Sequence, residues 1–232
     1  MISVCIATYN GEKYFRQQLE SILSQLSADD EVIISDDGSK DGTLALIESF
    51  HDPRVRVYKN EGKHGFVGNF NNAFQHVNGD YIFLSDQDDV WMPNKVDTVM
   101  KYLLNGVDLV THNAQFIDRD GKDLGSDYFS HLHNKTDFWA NFWKTRFLGC
   151  CMCFSRKVLD KCLPMPPEVK GHDFWIGMMA LKHFNVKFID DKLLCYRRHG
   201  GNVSSSGEKS NESWWYRIVE KRGYLLWKIM FR

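Results

Sequence analysis

The stretch Gly79-Asp80-Tyr81-Ile82-Phe83-Leu84-Ser85-Asp86-Gln87-Asp88-Asp89-Val90-Trp91 decides how this chain folds. Its apolar run, Tyr81 to Leu84, is short, rich in aromatic and branched residues, and bounded by Gly79 and a cluster of acids. That is the signature of a buried strand rather than a helix. Three carboxylates crowded at a strand end repel one another. A hard divalent cation relieves the repulsion, because Mg²⁺ and Mn²⁺ prefer oxygen ligands. Mg²⁺ is typically held by one or two carboxylates together with substrate phosphates, which suits a nucleoside diphosphate. Taken alone, the cluster is equally an acidic turn capping the next helix.

Working outward, the same strand-then-helix order repeats. Ile2 to Ala7 reads as a buried strand, and Glu12 to Gln25 as a helix with apolar residues at Phe15, Leu19, Ile22 and Leu23. Glu31 to Ser35 is a second strand, and Asp41 caps a helix predicted through Phe50. Strands are predicted over Arg54 to Tyr58 and Val107 to Thr111, and helices over Phe66 to Val77 and from Pro93 to Leu104. This order implies an α/β fold, a mainly parallel sheet flanked by helices. Ligands of such sheets bind beyond the carboxyl ends of the strands. Three polar clusters fall at those ends: Thr8, Tyr9 and Asn10; Asp36, Asp37, Gly38 and Ser39; and Asp86 to Asp89. Each alone is an ordinary turn. Their coincidence on one rim points to a site.

The second half is less regular. Residues 113 to 135 read as a polar loop, and Phe147 to Phe154 as a strand. Asp173 to Phe184 has helical spacing, Val186 to Ile189 and Leu193 to Arg197 suggest two short strands, and Gly200 to Asn211 suggests a loop. Composition limits the classes of function. The 232 residues are 43% hydrophobic and 25% charged, a globular balance. Lys plus Arg number 29 against 30 acids, so nothing suggests a nucleic-acid partner. No apolar run approaches the roughly 18 residues of a membrane span. Ile2 begins an apolar run with no basic segment before it, which argues against a secretory signal. Cys5, Cys150, Cys151, Cys153, Cys162 and Cys195 are expected as reduced, mostly buried thiols of a cytoplasmic protein. The spacing of Cys150, Cys151 and Cys153 does not suit a zinc site.

Five ordered motifs resemble the family 2 glycosyltransferases, over roughly residues 1 to 205. They are Ile2 to Gly11, Val32 to Thr43, Gly79 to Trp91, Gly171-His172-Asp173-Phe174-Trp175, and Cys195 to Ser204. The last resembles members that build bacterial surface polysaccharides, many of them rhamnosyltransferase-like. The resemblance implies a GT-A (Rossmann-like) fold and inverting transfer from a nucleotide sugar, dTDP-L-rhamnose or a UDP-hexose. The acceptor would be an oligosaccharide or lipid-linked glycan. Residue by residue, it implies that Thr8, Tyr9 and Asn10 line the base pocket and that Asp36 or Asp37 holds the base. Asp86 and Asp88 match the two acids of the DXD pattern. Asp88 would meet the nucleotide, and Asp88, Asp89 and His199 would hold Mg²⁺ or Mn²⁺. Asp173 would be the catalytic base, with His172 and Trp175 on the acceptor side. Many members carry Glu before that Asp; here His172 stands there, either neutral, or protonated and paired with Asp173, or simply polar at a helix start. A binding module with a decayed active site is the rival reading. A nucleotidyltransferase would need a glycine-rich phosphate loop, which Asn10-Gly11-Glu12 does not provide.

The implied organisation is a catalytic domain over 1–205, with a nucleotide-binding half (1–112) and an acceptor-binding half (113–205), then a tail over 206–232. From Trp214 onward five basic residues face one acid, Glu220, among Trp215, Ile218, Leu225, Leu226 and Ile229. That pattern predicts an amphipathic helix lying on the cytoplasmic face of the inner membrane, or else one packed on the domain.

Overall fold

The computed structural model describes residues 1–133, 135–199 and 223–232. The first half runs β1 (Ile2–Thr8), α1 (Glu12–Leu23), β2 (Glu31–Asp36), α2 (Thr43–Glu48), β3 (Val55–Lys59), α3 (Phe66–Phe74) and β4 (Tyr81–Asp86). Then come β5 (Val90–Trp91), α4 (Lys95–Leu103), β6 (Leu109–Ile117), β7 (Asp123–Asp127), α5 (Phe138–Trp143) and β8 (Met152–Ser155). The chain continues through α6 (Arg156–Cys162), α7 (His172–His183), β9 (Val186–Arg197) and α8 (Gly223–Phe231).

The described strands form one sheet in the order β3-β2-β1-β4-β8-β6-β9-β5, with β7 paired to β6. From β3 to β4 every pairing is parallel, as the repeating order requires. The second half is mixed. The short β8 lies antiparallel between β4 and β6, while β6 and β9 run parallel. The sheet is therefore parallel in its nucleotide half and mixed beyond it.

Strand side chains alternate between faces, and the two cores follow that alternation. Val4, Ile6, Val32, Ile34 and Phe83 pack with Phe15, Leu19 and Val99 from α1 and α4. Cys5, Ile33, Ile82 and Leu84 point the other way, onto Phe70, Phe74, Leu159, Trp175 and Met179. Helix α7 is buried over most of its circumference because α5, α6 and α8 all pack on it. Its sequence is accordingly apolar all round rather than striped.

Several sequence expectations are corrected. The polar stretch 113–135 contains the second half of β6 and the hairpin strand β7, where Gln115 pairs with Asp127. Val186 to Arg197 is one strand, not two; its register with β6 shifts around Asn113, and the shift absorbs the acidic pair Asp190-Asp191. The apolar run before Phe154 begins with a short helical turn, Gly149–Cys151, before β8. Helices α5 and α6 were not anticipated. All six cysteines are free thiols, five of them buried.

Of the tail, the described part is α8, so the stretch from Trp214 to Arg222 lies outside the described residues. Leu225 and Ile229 are buried against the domain, and Lys182 Nζ donates to the carbonyls of Ile229 (2.7 Å) and Met230 (2.5 Å). The outward side is aromatic rather than polar: Trp227 is 57% and Phe231 77% exposed. Among the described residues no helix is long and apolar enough to cross a membrane.

Candidate active site

Parallel order brings the ends of β1, β2 and β4 side by side, and their polar residues are hydrogen-bonded into one rim. Gln87 bridges β4 to β1: its Oε1 accepts from Thr8 Oγ1 and from the Tyr9 N–H, both at 2.8 Å, and its Nε2 donates to the Tyr9 carbonyl at 3.1 Å. Asn10 bridges β1 to β2, its N–H donating to Ser39 Oγ (2.9 Å) and its Oδ1 accepting from the Lys40 N–H (2.8 Å). Gly11 is required here, since a Cβ would lie 2.7 Å from Gln87 Oε1. Thr8 is buried, whereas the Tyr9 ring is 52% exposed and open to a ligand.

Asp36 and Asp37 differ in role. Asp36 is buried, and both its oxygens are used within its own turn, by the N–H groups of Gly38 and Ser39 and by Ser39 Oγ. It shapes the strand end rather than offering a free carboxylate, which corrects its place among the base-binding candidates. Asp37 accepts from Asn60 Nδ2 (2.7 Å), His64 Nδ1 (2.9 Å) and the Gly65 N–H (2.8 Å), and His64 is largely exposed. Of the two, Asp37 is the carboxylate whose neighbours reach solvent.

The three acids after β4 diverge. Asp88 faces His199, whose Nε2 lies 2.7 Å from its Oδ2. Asp89 turns inward and does not join them. It is fully buried, and its Oδ1 accepts the Arg197 N–H at 2.9 Å. Asp86 is half-buried; desolvation first, and then the neighbouring Asp88 charge, push its carboxyl up to about 7. The Asp89 carboxyl is raised well above its usual range for the same two reasons, burial leading. Such a set is short of positive charge, and a divalent cation fits it. Of the trio expected as metal ligands, Asp88 pairs with His199, while one oxygen of Asp89 is engaged by the Arg197 backbone.

Arg197 closes the site from β9. Its Nε donates to the Asp88 carbonyl (2.9 Å) and its Nη2 to Gln17 Oε1 (2.9 Å), and its guanidinium lies 4.6 Å from the Tyr14 ring centre. Tyr14 in turn stacks on His199 at 5.3 Å. One helix face of α1 thus positions the residue that meets Asp88. Arg197 lies inside a motif visible in the sequence, but nothing in the sequence marks Gln17 or Tyr14 as its companions.

Asp173 occupies the first turn of α7, where the helix dipole favours a carboxylate. Its Oδ1 accepts the Phe174 N–H at 2.7 Å. Burial nonetheless raises its carboxyl to about 6, and its charge is felt at Asp86. His172 is buried, stacked on Phe70 at 4.1 Å, and neither ring nitrogen has a hydrogen-bond partner. Burial lowers its pKa to about 3, so the ring is neutral and not an ion-pair partner of Asp173. A Cβ on Gly149 would lie 2.6 Å from His172 Nε2, so only glycine lets the turn approach the ring. Trp175 is fully buried, and its indole N–H donates to the Cys162 carbonyl at 3.0 Å. It is a core residue, not a platform for an acceptor sugar. The apolar spacing of α7 turns it toward the sheet. Helix α5, absent from the sequence reading, instead presents the exposed Trp139 and Trp143, and its Phe142 lies 6.4 Å from Phe174.

A sheet that is parallel in its first half and mixed beyond it, with an acidic end on β4, is the GT-A fold. The chain belongs to glycosyl transferase family 2, whose model matches residues 3–163. It is 27% identical over 224 residues to the Escherichia coli UDP-Glc:alpha-D-GlcNAc-diphosphoundecaprenol beta-1,3-glucosyltransferase WfgD, covering 93% of this chain and 84% of that protein. It is 28% identical over 213 residues to the Shigella flexneri dTDP-rhamnosyl transferase RfbG, covering 85% of this chain and 72% of that one. Among solved structures, S. aureus TarS in complex with UDP-GlcNAc superposes with a TM-score of 0.72 at 20% identity, covering 97% of this chain and 66% of that one.

Proposed function

We propose that this glycosyltransferase is inverting and metal-dependent, and that it moves a sugar from dTDP-L-rhamnose or a UDP-hexose to a lipid-linked glycan in bacterial surface-polysaccharide synthesis. The observation that carries the reading is Asp173, half-buried at a helix start and near enough to the acidic end of β4 for its charge to act on Asp86. Its carboxylate takes the proton of the acceptor hydroxyl as that oxygen attacks the anomeric carbon from the side opposite the nucleotide. Such a base contributes roughly 10²–10⁴-fold. The exposed Tyr9 ring stacks on the base, Asp37 accepts from its imide N–H, and Asn10 holds the rim that carries both. Asp88 and His199 would hold Mg²⁺ or Mn²⁺, which when bound would supply positive charge to a diphosphate leaving group. Asp89 anchors the closing segment through the Arg197 backbone. Trp139 and Trp143 take the acceptor-side role first expected of Trp175.

The relatives support both donor classes: one name specifies UDP-Glc, another dTDP-rhamnose. A diphosphoundecaprenol acceptor, named for the E. coli relative, would be met at a membrane surface. The outward Trp227 and Phe231 suit peripheral docking at the cytoplasmic face. The test is a panel of nucleotide sugars with Mg²⁺ or Mn²⁺ and a lipid-linked GlcNAc acceptor, reading release of nucleoside diphosphate. One donor should stand out. If every donor binds and none is turned over, the rival reading as a catalytically inactive binding module is correct.

A further inference from the structure

A second group of donor atoms joins Asp86 and Cys150, which the proposed chemistry leaves unused, to Asp89, of which only one oxygen is engaged by the Arg197 backbone. One oxygen each from Asp86 and Asp89 and the Cys150 Sγ all lie within 4.8 Å of one another, the group of three candidate ligands found among the described residues. We propose that Asp86, Asp89 and Cys150 form a site for a thiophilic divalent cation such as Zn²⁺, Co²⁺ or Cd²⁺, separate from the Asp88–His199 pair.

Three features support it. Asp89 is fully buried, and while its Oδ1 accepts the Arg197 N–H, its Oδ2 has no hydrogen-bond partner. A buried carboxylate oxygen without a donor is costly, and a cation satisfies it. Second, Cys150 is held in place before any ion arrives. It sits in the turn Gly149–Cys151, closed by the Cys151 N–H donating to the Leu148 carbonyl (2.9 Å), and the buried Lys95 Nζ donates to the Cys150 carbonyl (3.0 Å). Third, the donor chemistry selects. Two carboxylates and a thiol suit Zn²⁺ and its surrogates, whereas Mg²⁺ avoids sulfur. Around tetrahedral zinc such donors stand about 3.4–3.6 Å apart, so these atoms need to draw in by about 1.4 Å at most. Asp86 is half-buried and gives the ion its route from the cleft, where water completes the shell. Binding releases the thiol proton to solvent as the sulfur–metal bond forms.

Cobalt reads this site without any turnover. Full-length protein titrated with Co²⁺, with no nucleotide present, should develop a near-ultraviolet thiolate-to-cobalt charge-transfer band. Cys150→Ser should abolish the band and weaken Cd²⁺ binding about tenfold or more, while Mg²⁺ binding is unchanged. Cys151→Ser and His199→Ala should both keep the band. Cys150→Ala serves as the second variant if the serine protein fails to fold. A band that survives in Cys150→Ser, or cobalt that binds with no thiolate band, overturns the site; loss of the band in His199→Ala overturns its separateness. Donor turnover by the wild-type protein in Mg²⁺ is measured apart, so failure here leaves the transferase reading standing, and the reverse.

Discussion

Asp173→Asn separates catalysis from stability, because the same carboxylate that removes a proton is also held in an unfavourable place. Burial raises its carboxyl from 3.8 to about 6. The folded state therefore binds the proton more tightly than the unfolded chain, and stability falls as pH rises from about 4 to above 6. At one pKa unit per 1.36 kcal/mol, the charged form costs up to about 3 kcal/mol at pH 7.5 and about 1.6 kcal/mol at pH 5. Asparagine is nearly isosteric and can still accept the Phe174 N–H, but it forgoes the dipole interaction at the start of α7, worth about 0.3–1 kcal/mol. The variant should thus be more stable than wild type by about 2–3 kcal/mol at pH 7.5, with the gain roughly halved at pH 5. Turnover should fall by about 10²–10⁴-fold with donor affinity little changed, since the base acts on the acceptor. Urea unfolding at the two pH values gives the first quantity, and nucleoside diphosphate release the second. In wild type, kcat/KM should rise with pH through about 6 as the base ionises. A variant that is inactive but no more stable would show that the carboxylate is not strained. One that is stabilised but fully active would refute Asp173 as the base.

His199→Ala removes the partner of Asp88; divalent-ion activation should require at least about tenfold more Mn²⁺, measured as donor binding against metal concentration. Trp175→Phe removes one buried hydrogen bond and some ring volume, so it should lower stability by about 1–3 kcal/mol and leave the KM for acceptor unchanged, contrary to a sugar-stacking role. Trp227→Ser with Phe231→Ser should leave donor hydrolysis intact and reduce co-sedimentation with anionic vesicles at low salt. If full-length wild type ignores such vesicles, α8 is a packing helix alone.

The parallel half was legible because its signals are local. The apolar runs at Ile2, Glu31 and Tyr81, each followed by a polar cluster, specify strands whose ends must share one rim once the order is β-α-β. Asp173 was legible locally only as an acid opening an apolar helical run; its role as candidate base came from the resemblance of Gly171 to Trp175 to the family's motif. The second half was not, since β8 is four residues long and takes its place from pairing with β4 and β6, partners far away in sequence. Residues 113–127 look like a polar loop because β7 is an edge strand with an exposed, polar sequence. Tertiary structure alone decided the fate of individual side chains. Trp175 is aromatic in either setting, and only the packing of α5, α6 and α8 around α7 makes it core. Asp36 and Asp37 are neighbours with the same chemistry, and the turn at Gly38 consumes one and leaves the other. Asp88 and Asp89 are likewise adjacent acids in the turn between β4 and β5, and the fold gives one His199 as its partner and buries the other against the Arg197 backbone. Composition and periodicity report which residue types are present and how often they recur; which way each points depends on partners far away in sequence, 111 positions for Asp88 and His199 and 180 for Gln17 and Arg197.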